Sequence, residues 1–321
     1  VASITQYPDP AVRGLRRKLA KRHGVGEEHI LVGNGAAELI DLAVRARRPR
    51  RTGLVQPCFA EYGDAAVKAE SHIAAAKLSE EDGFELRAHH LQAETGREAD
   101  MWLIGSPNNP TGRIADPRLL LHLAQASGSL VAVDEAFMDF VPEERTYSLV
   151  RQAVSLPNLL VFRSMTKFYS VPGIRLGYVI GSEQRIAELR RLQVPWSVNS
   201  LAQQIGEAVL EDDAFAERTG AWLRQERPWL ADELRKLGLT VYPGDVNYIL
   251  FRLPDTGVLK EAGELQRRMG RCGVLIRDAS HFAGLGPGFC RVAVKLREHN
   301  ERLIRALRSC LEQAAEGGAG R

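Results

Sequence analysis

The sequence predicts an α/β protein: a large domain with a mostly parallel sheet flanked by helices, followed by a smaller α+β domain. Three observations predict it. Short apolar runs alternate with helix-like stretches over the first two thirds of the chain, as βαβ units do. Beyond about residue 200 that alternation gives way to a long helical region and paired strand-like runs. The 321 residues, 45% hydrophobic and 26% charged, are enough for a substantial buried core. We expect the large domain over 20–223, the small one over 224–321, and an N-terminal arm over 1–19.

In chain order, "AVRGLRRKLAKRHG" places Val12, Leu15 and Leu19 on one helical face, and Gly24 ends it. "HILVGNG" reads as a short strand and turn leading into a helix through "AAELIDLAVRA". The runs "GLVQP", "DMWLIGSP", "SLVAVDEAF", "NLLVFRS" and "RLGYVIG" follow as buried strands. A helical region over 200–237, with a kink expected at Pro228, precedes "LTVYPGDVNYILFRL", which reads as two strands around a turn. A helix over 258–272, strands "VLIRD" and "CRVAVK", and a helix from 298 complete the chain. The small-residue tail "AAEGGAGR" is expected to fray.

The net charge of +3 is small for this length and gives no whole-protein field for nucleic acid. The basic run "RARRPRR" at 45–51 lacks interleaved aromatics and reads as a solvated turn. Cys58, Cys272, Cys290 and Cys310 show no metal or disulfide spacing, which suits a reducing cytoplasm, and no metal site is expected. No apolar run approaches the roughly 18 residues of a membrane span. A cytoplasmic protein without membrane or nucleic-acid partners is the expectation.

Ligands in such sheets sit beyond the carboxyl ends of the strands. The polar residues there are Asn108 and Asn109 of "SPNNPTG", Asp134 after "SLVAV", and Ser164, Thr166 and Lys167 after "NLLVF". "GNG" would leave the N–H groups of Ala36 and Ala37 free at a helix N-terminus, a cradle for phosphate. Each has an ordinary explanation on its own: a helix cap or ion-pair partner for Asp134, an exposed strand-end lysine for Lys167, turn formers for Asn109 and "GNG". Their convergence on one crevice raises them together.

The chain resembles the fold-type I pyridoxal-phosphate enzymes of the aminotransferase class I/II group. "GNG", "PCFAEYG", "SPNNPTG", "DEAF", "SMTK", "GIRLGY" and "RVAV" occur in that family's order across nearly the whole chain. The resemblance implies pyridoxal 5'-phosphate as cofactor, bonded to Lys167, with Asp134 facing its ring nitrogen and Asn109 its ring hydroxyl. It implies a phosphate site formed by Gly35, Ala36, Ala37, Ser164, Thr166 and Arg175, with Tyr7 reaching in from a neighbouring subunit of a homodimer. Tyr62, or failing it Phe59, would stack on the ring, and Arg291 would take the substrate carboxylate. Relatives carry a further segment ahead of the "YPD" element that covers the mouth of the site.

The runs "FAEYG", "DEAFMDF", "RSMTKFYSVPGIRLGY", "VPWSVNSLA" and "YPGDVNYILFR" resemble the threonine-phosphate decarboxylases in particular. Decarboxylation of L-threonine O-3-phosphate to (R)-1-amino-2-propanol O-2-phosphate, a step of cobalamin biosynthesis, is the reaction implied. The alternative is a histidinol-phosphate aminotransferase, a group that usually has tyrosine where this chain has Phe137. Arg277, and Arg291 if it does not hold the carboxylate, could clamp the substrate phosphate. Asn109 also faces the substrate in this reading, and Trp196 and Asn199 could shape its pocket.

Overall fold

The computed structural model describes residues 5–92, 99–256 and 258–319. Seven strands form one sheet: β1 Ile30–Gly33, β2 Arg51–Gln56, β3 His72–Lys77, β4 Met101–Gly105, β5 Leu130–Asp134, β6 Leu159–Ser164 and β7 Gly177–Gly181, in the order β1-β7-β6-β5-β4-β2-β3. The pairs from β3 through β2, β4 and β5 to β6 are parallel, and β7 runs antiparallel to both β6 and β1. Four residues of β5 and all of β4, β6 and β7 are buried. Both faces are covered, which explains why these strands read as unbroken apolar runs. Val131, Val133 and Val161 enter one core, and Leu130, Ala132, Leu160 and Phe162 the other.

Register brings the active edge together. Gly105 pairs with Asp134, Asp134 with Phe162, Ser164 with Gly177, and Gly177 with Gly33. The turns after β1, β4, β5 and β6 therefore open on the same side of the sheet. The antiparallel setting of β7 was not readable from its apolar run. It decides that "GNG" and "SMTK" are neighbours, although about 130 residues separate them.

A second, antiparallel sheet contains β8 Thr240–Val241, β9 Tyr248–Arg252, β10 Arg277–Asp278 and β11 Phe289–Ala293, ordered β10-β11-β9-β8. Strand β10 is shorter than the "VLIRD" run suggests. The helical region expected over 200–237 is two helices, Ser200–Val209 and Asp213–Lys236. They are separated because the Asp212 side chain accepts the Phe215 N–H and starts the second helix afresh. Pro228 lies inside a helix that runs on to Lys236. This helix touches both the segment after β5 and strands β8 and β9, so a domain boundary at 223/224 would cut a continuous element.

The helix Arg13–His23 ends where expected, with Gly24 in the left-handed region at φ 67° and its N–H on Ala20. Its Leu15 and Leu19 are fully buried, so the span 1–19 expected as an arm includes core residues. The C-terminal helix runs from Arg297 to Ala319. The basic run lies between a helix and β2, where Arg45 pairs with Asp41 and the N–H groups of Arg50 and Arg51 bond Asp100. All four cysteines are free, and no helix among the described residues is long and apolar enough to cross a membrane.

Candidate active site

Lys167 lies in the one-turn helix Met165–Phe168 that follows β6, and its Nζ donates to Ser164 Oγ at 3.1 Å. The amine stands 5.5 Å from the centroid of the Phe137 ring. Burial holds its pKa below the ordinary lysine value, Arg175 adds to the lowering, and the attraction of Asp134 opposes it. On the neighbouring strand, Asp134 receives Tyr62 Oη at 2.7 Å on one carboxylate oxygen and the Ala136 N–H at 3.0 Å on the other. Its pKa is raised because burial outweighs the Lys167 charge and both hydrogen bonds. An amine tuned toward its nucleophilic form thus shares the edge with a buried acid.

Beside them is an anion cradle. The helix Ala36–Arg47 begins at Gly35, φ 87°, with no side-chain cap on its first N–H groups. A Cβ on Gly35 would lie 2.7 Å from the Arg175 guanidinium, and one on Gly177 would lie 2.5 Å from the Ala36 nitrogen. The close approach of three chain segments needs glycine at both positions. Ser164 and Thr166 hydroxyls, 2.9 Å apart, complete the cradle. Uncapped amides, hydroxyls and a guanidinium together suit a phosphate dianion, and an adjacent amine and carboxylic acid suit an aldehyde on a basic ring. The donor set fits pyridoxal 5'-phosphate.

The second sheet brings two of the expected arginines together. Arg277 and Arg291 are cross-strand partners on β10 and β11. Arg291 lies over the Tyr248 ring at 4.9 Å and hydrogen-bonds Asn109 Oδ1. The Tyr248 hydroxyl donates to the Asn108 carbonyl at 2.6 Å, fixing the turn that carries Asn109. Phe137 packs edge-on against Tyr248 at 5.0 Å. A cavity of about 290 Å³ is lined by Phe137, Tyr248, Arg277 and Arg291.

Several expected residues are placed otherwise. Tyr62 is 2% exposed with its hydroxyl spent on Asp134, whereas the half-buried Phe59 packs edge-on against it at 5.6 Å. Of the two residues expected to stack on the ring, Phe59 is the more exposed. Asn109 accepts from Arg291 on its side-chain oxygen. Asn199 is a helix cap, accepting the Ala202 N–H, and Trp196 packs on Tyr7 at 5.5 Å. Those two line a surface cavity with Tyr7 that includes neither Lys167 nor Asp134. Tyr7 is 87% exposed.

Sequence reasoning missed the buried support beneath the site. Arg163, fully buried, donates to Glu135 at 2.9 Å, Glu144 at 2.6 Å and Ser148 at 3.0 Å. Glu135 also receives the Leu149 N–H and the Ser148 hydroxyl. Arg163 and Glu135 directly neighbour Ser164 and Asp134, and the signal available was one charge inside the apolar run of β6 and another directly after that of β5.

The sequence profile of the aminotransferase class I and II family matches residues 2–307. The chain belongs to that family. Among curated aminotransferase-family relatives, it is 40% identical to the threonine-phosphate decarboxylase of Salmonella typhimurium, over 96% of this chain and 84% of the relative. It is 34% identical to the histidinol-phosphate aminotransferase of Nitratidesulfovibrio vulgaris, over 94% of this chain and 79% of the relative. The crystal structure of the histidinol-phosphate aminotransferase from Clostridium acetobutylicum superposes with a TM-score of 0.89 at 27% identity, covering 97% of this chain and 92% of that one. The backbone is common to both reactions, so side chains must separate them.

Proposed function

We propose that this chain is a pyridoxal-phosphate-dependent carboxy-lyase acting on L-threonine O-3-phosphate, and that it works as a homodimer. The observation that carries the reading is the 40% identity to a threonine-phosphate decarboxylase over 96% of the chain, above that to the aminotransferase relatives. Phe137 agrees with it: an aromatic ring without a hydroxyl lies against Lys167, so no tyrosine donor is available there. Placement of the product in cobalamin biosynthesis and a cytoplasmic location go with this reading.

When bound, pyridoxal phosphate supplies an electron sink for the pair left when a bond to the substrate's α-carbon breaks. Lys167 would hold it covalently, Asp134 would keep its ring nitrogen protonated, and Phe59 would cover one ring face. Gly35, Ala36, Ala37, Ser164, Thr166 and Arg175 would hold its phosphate. The Arg277–Arg291 pair would clamp the substrate phosphate and fix which α-carbon bond stands ready to break. Carbon dioxide leaves with its bond pair left behind, and Lys167 Nζ returns one proton to the α-carbon.

The test is CO₂ release from O-phospho-L-threonine by the holoenzyme without any 2-oxo acid. Turnover under those conditions is expected. A strict requirement for a 2-oxo acid acceptor would overturn the decarboxylase reading in favour of the aminotransferase.

A further inference from the structure

Cys272 and Cys310 come together between two helices beside the second sheet, outside the groups assigned to cofactor or substrate. The helix Ala262–Arg271 ends at Cys272, whose N–H bonds the Arg268 and Met269 carbonyls, and the chain turns at Gly273 with φ 69°. That turn is seated on the C-terminal helix. The Arg302 guanidinium donates to the Gly273 carbonyl at 3.2 Å, and a Cβ at position 273 would lie 2.8 Å from the same guanidinium. Held there, the Cys272 side chain hydrogen-bonds that of Cys310. The pair is asymmetric. Cys272 is exposed, whereas Cys310 is buried and its thiol is pushed up to about 11, first by burial and then by Cys272. The remaining two, Cys58 and Cys290, are buried without a cysteine beside them, and burial raises both thiols to about 12. Of the four, one thiol is in reach of an oxidant, and a second lies against it.

We propose that Cys272 and Cys310 are a peroxide-sensitive dithiol that closes reversibly into a disulfide, a clasp across the two helices. Hydrogen peroxide transfers one oxygen to the Cys272 sulfur, which leaves a sulfenic acid there and releases one water. The Cys310 sulfur then attacks that sulfur. As the S–S bond forms the S–O bond breaks, and the departing hydroxide takes the Cys310 proton and leaves as a second water. Two electrons pass from the thiols to the peroxide. Arg268, one turn before Cys272, favours the thiolate of Cys310 as it attacks, against the burial that opposes it. The loop so closed takes in β10 and β11, and with them Arg277 and Arg291. Closing it removes freedom from the unfolded chain over that whole span, so oxidation favours the folded state. Nothing in this step depends on which reaction the Lys167 edge performs.

The experiment treats the holoenzyme with a small excess of hydrogen peroxide and counts its thiols after denaturation. Four are expected before treatment, two after it, and four again once dithiothreitol has acted. Trypsin digestion without reductant is expected to give peptide 272–277 joined to peptide 309–321, released by cuts after Arg271, Arg277 and Arg308. The oxidised parent should unfold at a higher denaturant concentration than the reduced one, and dithiothreitol should erase the difference. Cys272→Ser is expected to abolish both the joined peptide and the shift. Cys310→Ser is expected to leave Cys272 as a sulfenic acid that dimedone traps. Each variant is compared with its own reduced form, so a serine that weakens the fold does not hide the result. A parent in which Cys272 runs on to sulfinic acid, or pairs with the same residue of a second chain, without the joined peptide, overturns the proposal. A joined peptide with no rise in the unfolding midpoint overturns the clasp.

Discussion

Lys167 and Asp134 draw opposite demands from one buried edge. Burial favours the neutral form of each, and the two charges attract across the gap. Replacing Lys167 by alanine removes both the attachment point and the proton donor. We expect Lys167→Ala to lose the visible absorbance of covalently held cofactor and about 10⁴-fold in turnover; an unchanged spectrum would refute the assignment. His23 makes a different kind of prediction. It lies half-buried near Arg22 and Arg163, bonds the Tyr178 hydroxyl at 2.8 Å, and has its pKa lowered from 6.5 to about 3, chiefly by desolvation. The unfolded chain therefore binds a proton below pH 6.5 that the folded chain refuses until about pH 3. Stability is unaffected by this group above pH 6.5 and declines as pH falls toward 3, by at most about 1.4 kcal/mol per pH unit. Denaturant titrations of His23→Gln should show a shallower decline over that window, and parallel curves would count against a histidine held neutral. Lys167 and Asp134 were legible because motif and strand end coincide. The bond from Tyr62 to Asp134 was not, since nothing in "FAEYG" tells that the tyrosine hydroxyl reaches the end of β5.

At the scale of the element, the site depends on how the ends of β5 and β6 are held. Glu135 and Arg163 form an ion pair with no exposure on either side chain, tied to Glu144 and Ser148 in the segment after β5. This network fixes the two loops from which Asp134 and Lys167 project. Leaving Glu135 buried without its partner should cost about 3–5 kcal/mol, so Arg163→Ala is expected to lower the chemical denaturation midpoint strongly. A double replacement, Arg163→Met with Glu135→Leu, should recover part of that loss, because the buried Glu135 charge is gone while Asp139 and Glu144 still lose a partner. Failure of the double variant to recover would mean that the network's hydrogen bonds, rather than its charge balance, hold the loops. Apolar runs gave the strands and their buried faces. Strand direction could not be read in β7, whose composition suits either sense, nor could the break at Leu210–Asp212 inside a stretch of steady helical pattern. A local cap decided that break: Asp212→Ala should destabilise by about 1 kcal/mol, measured by the same denaturation.

At the scale of the molecule, Tyr7, Trp196 and Leu201 are exposed to 87%, 53% and 42% around one surface cavity. Clustered exposed aromatics mark protein interfaces, and the proposed homodimer would use them. Among the described residues Tyr7 packs on Trp196 rather than on the Lys167 edge of its own chain, so its proposed service to a cofactor phosphate is expected at a partner's site. Complementation tests that directly. A Tyr7→Ala chain keeps Lys167, and a Lys167→Ala chain keeps Tyr7. In a hybrid of the two, the site that retains Lys167 receives an intact Tyr7 from across the interface and regains the parent set of groups. Random reassociation makes half the dimers hybrid with one repaired site of two, so about a quarter of parent activity should return at limiting cofactor. Activity that merely averages the two variants would place Tyr7 in the service of its own subunit. Trp196→Glu, which puts a charge in the patch, should lower both the sedimenting mass and the recovered activity, since the proposed interface is also what would carry Tyr7 to the partner's site.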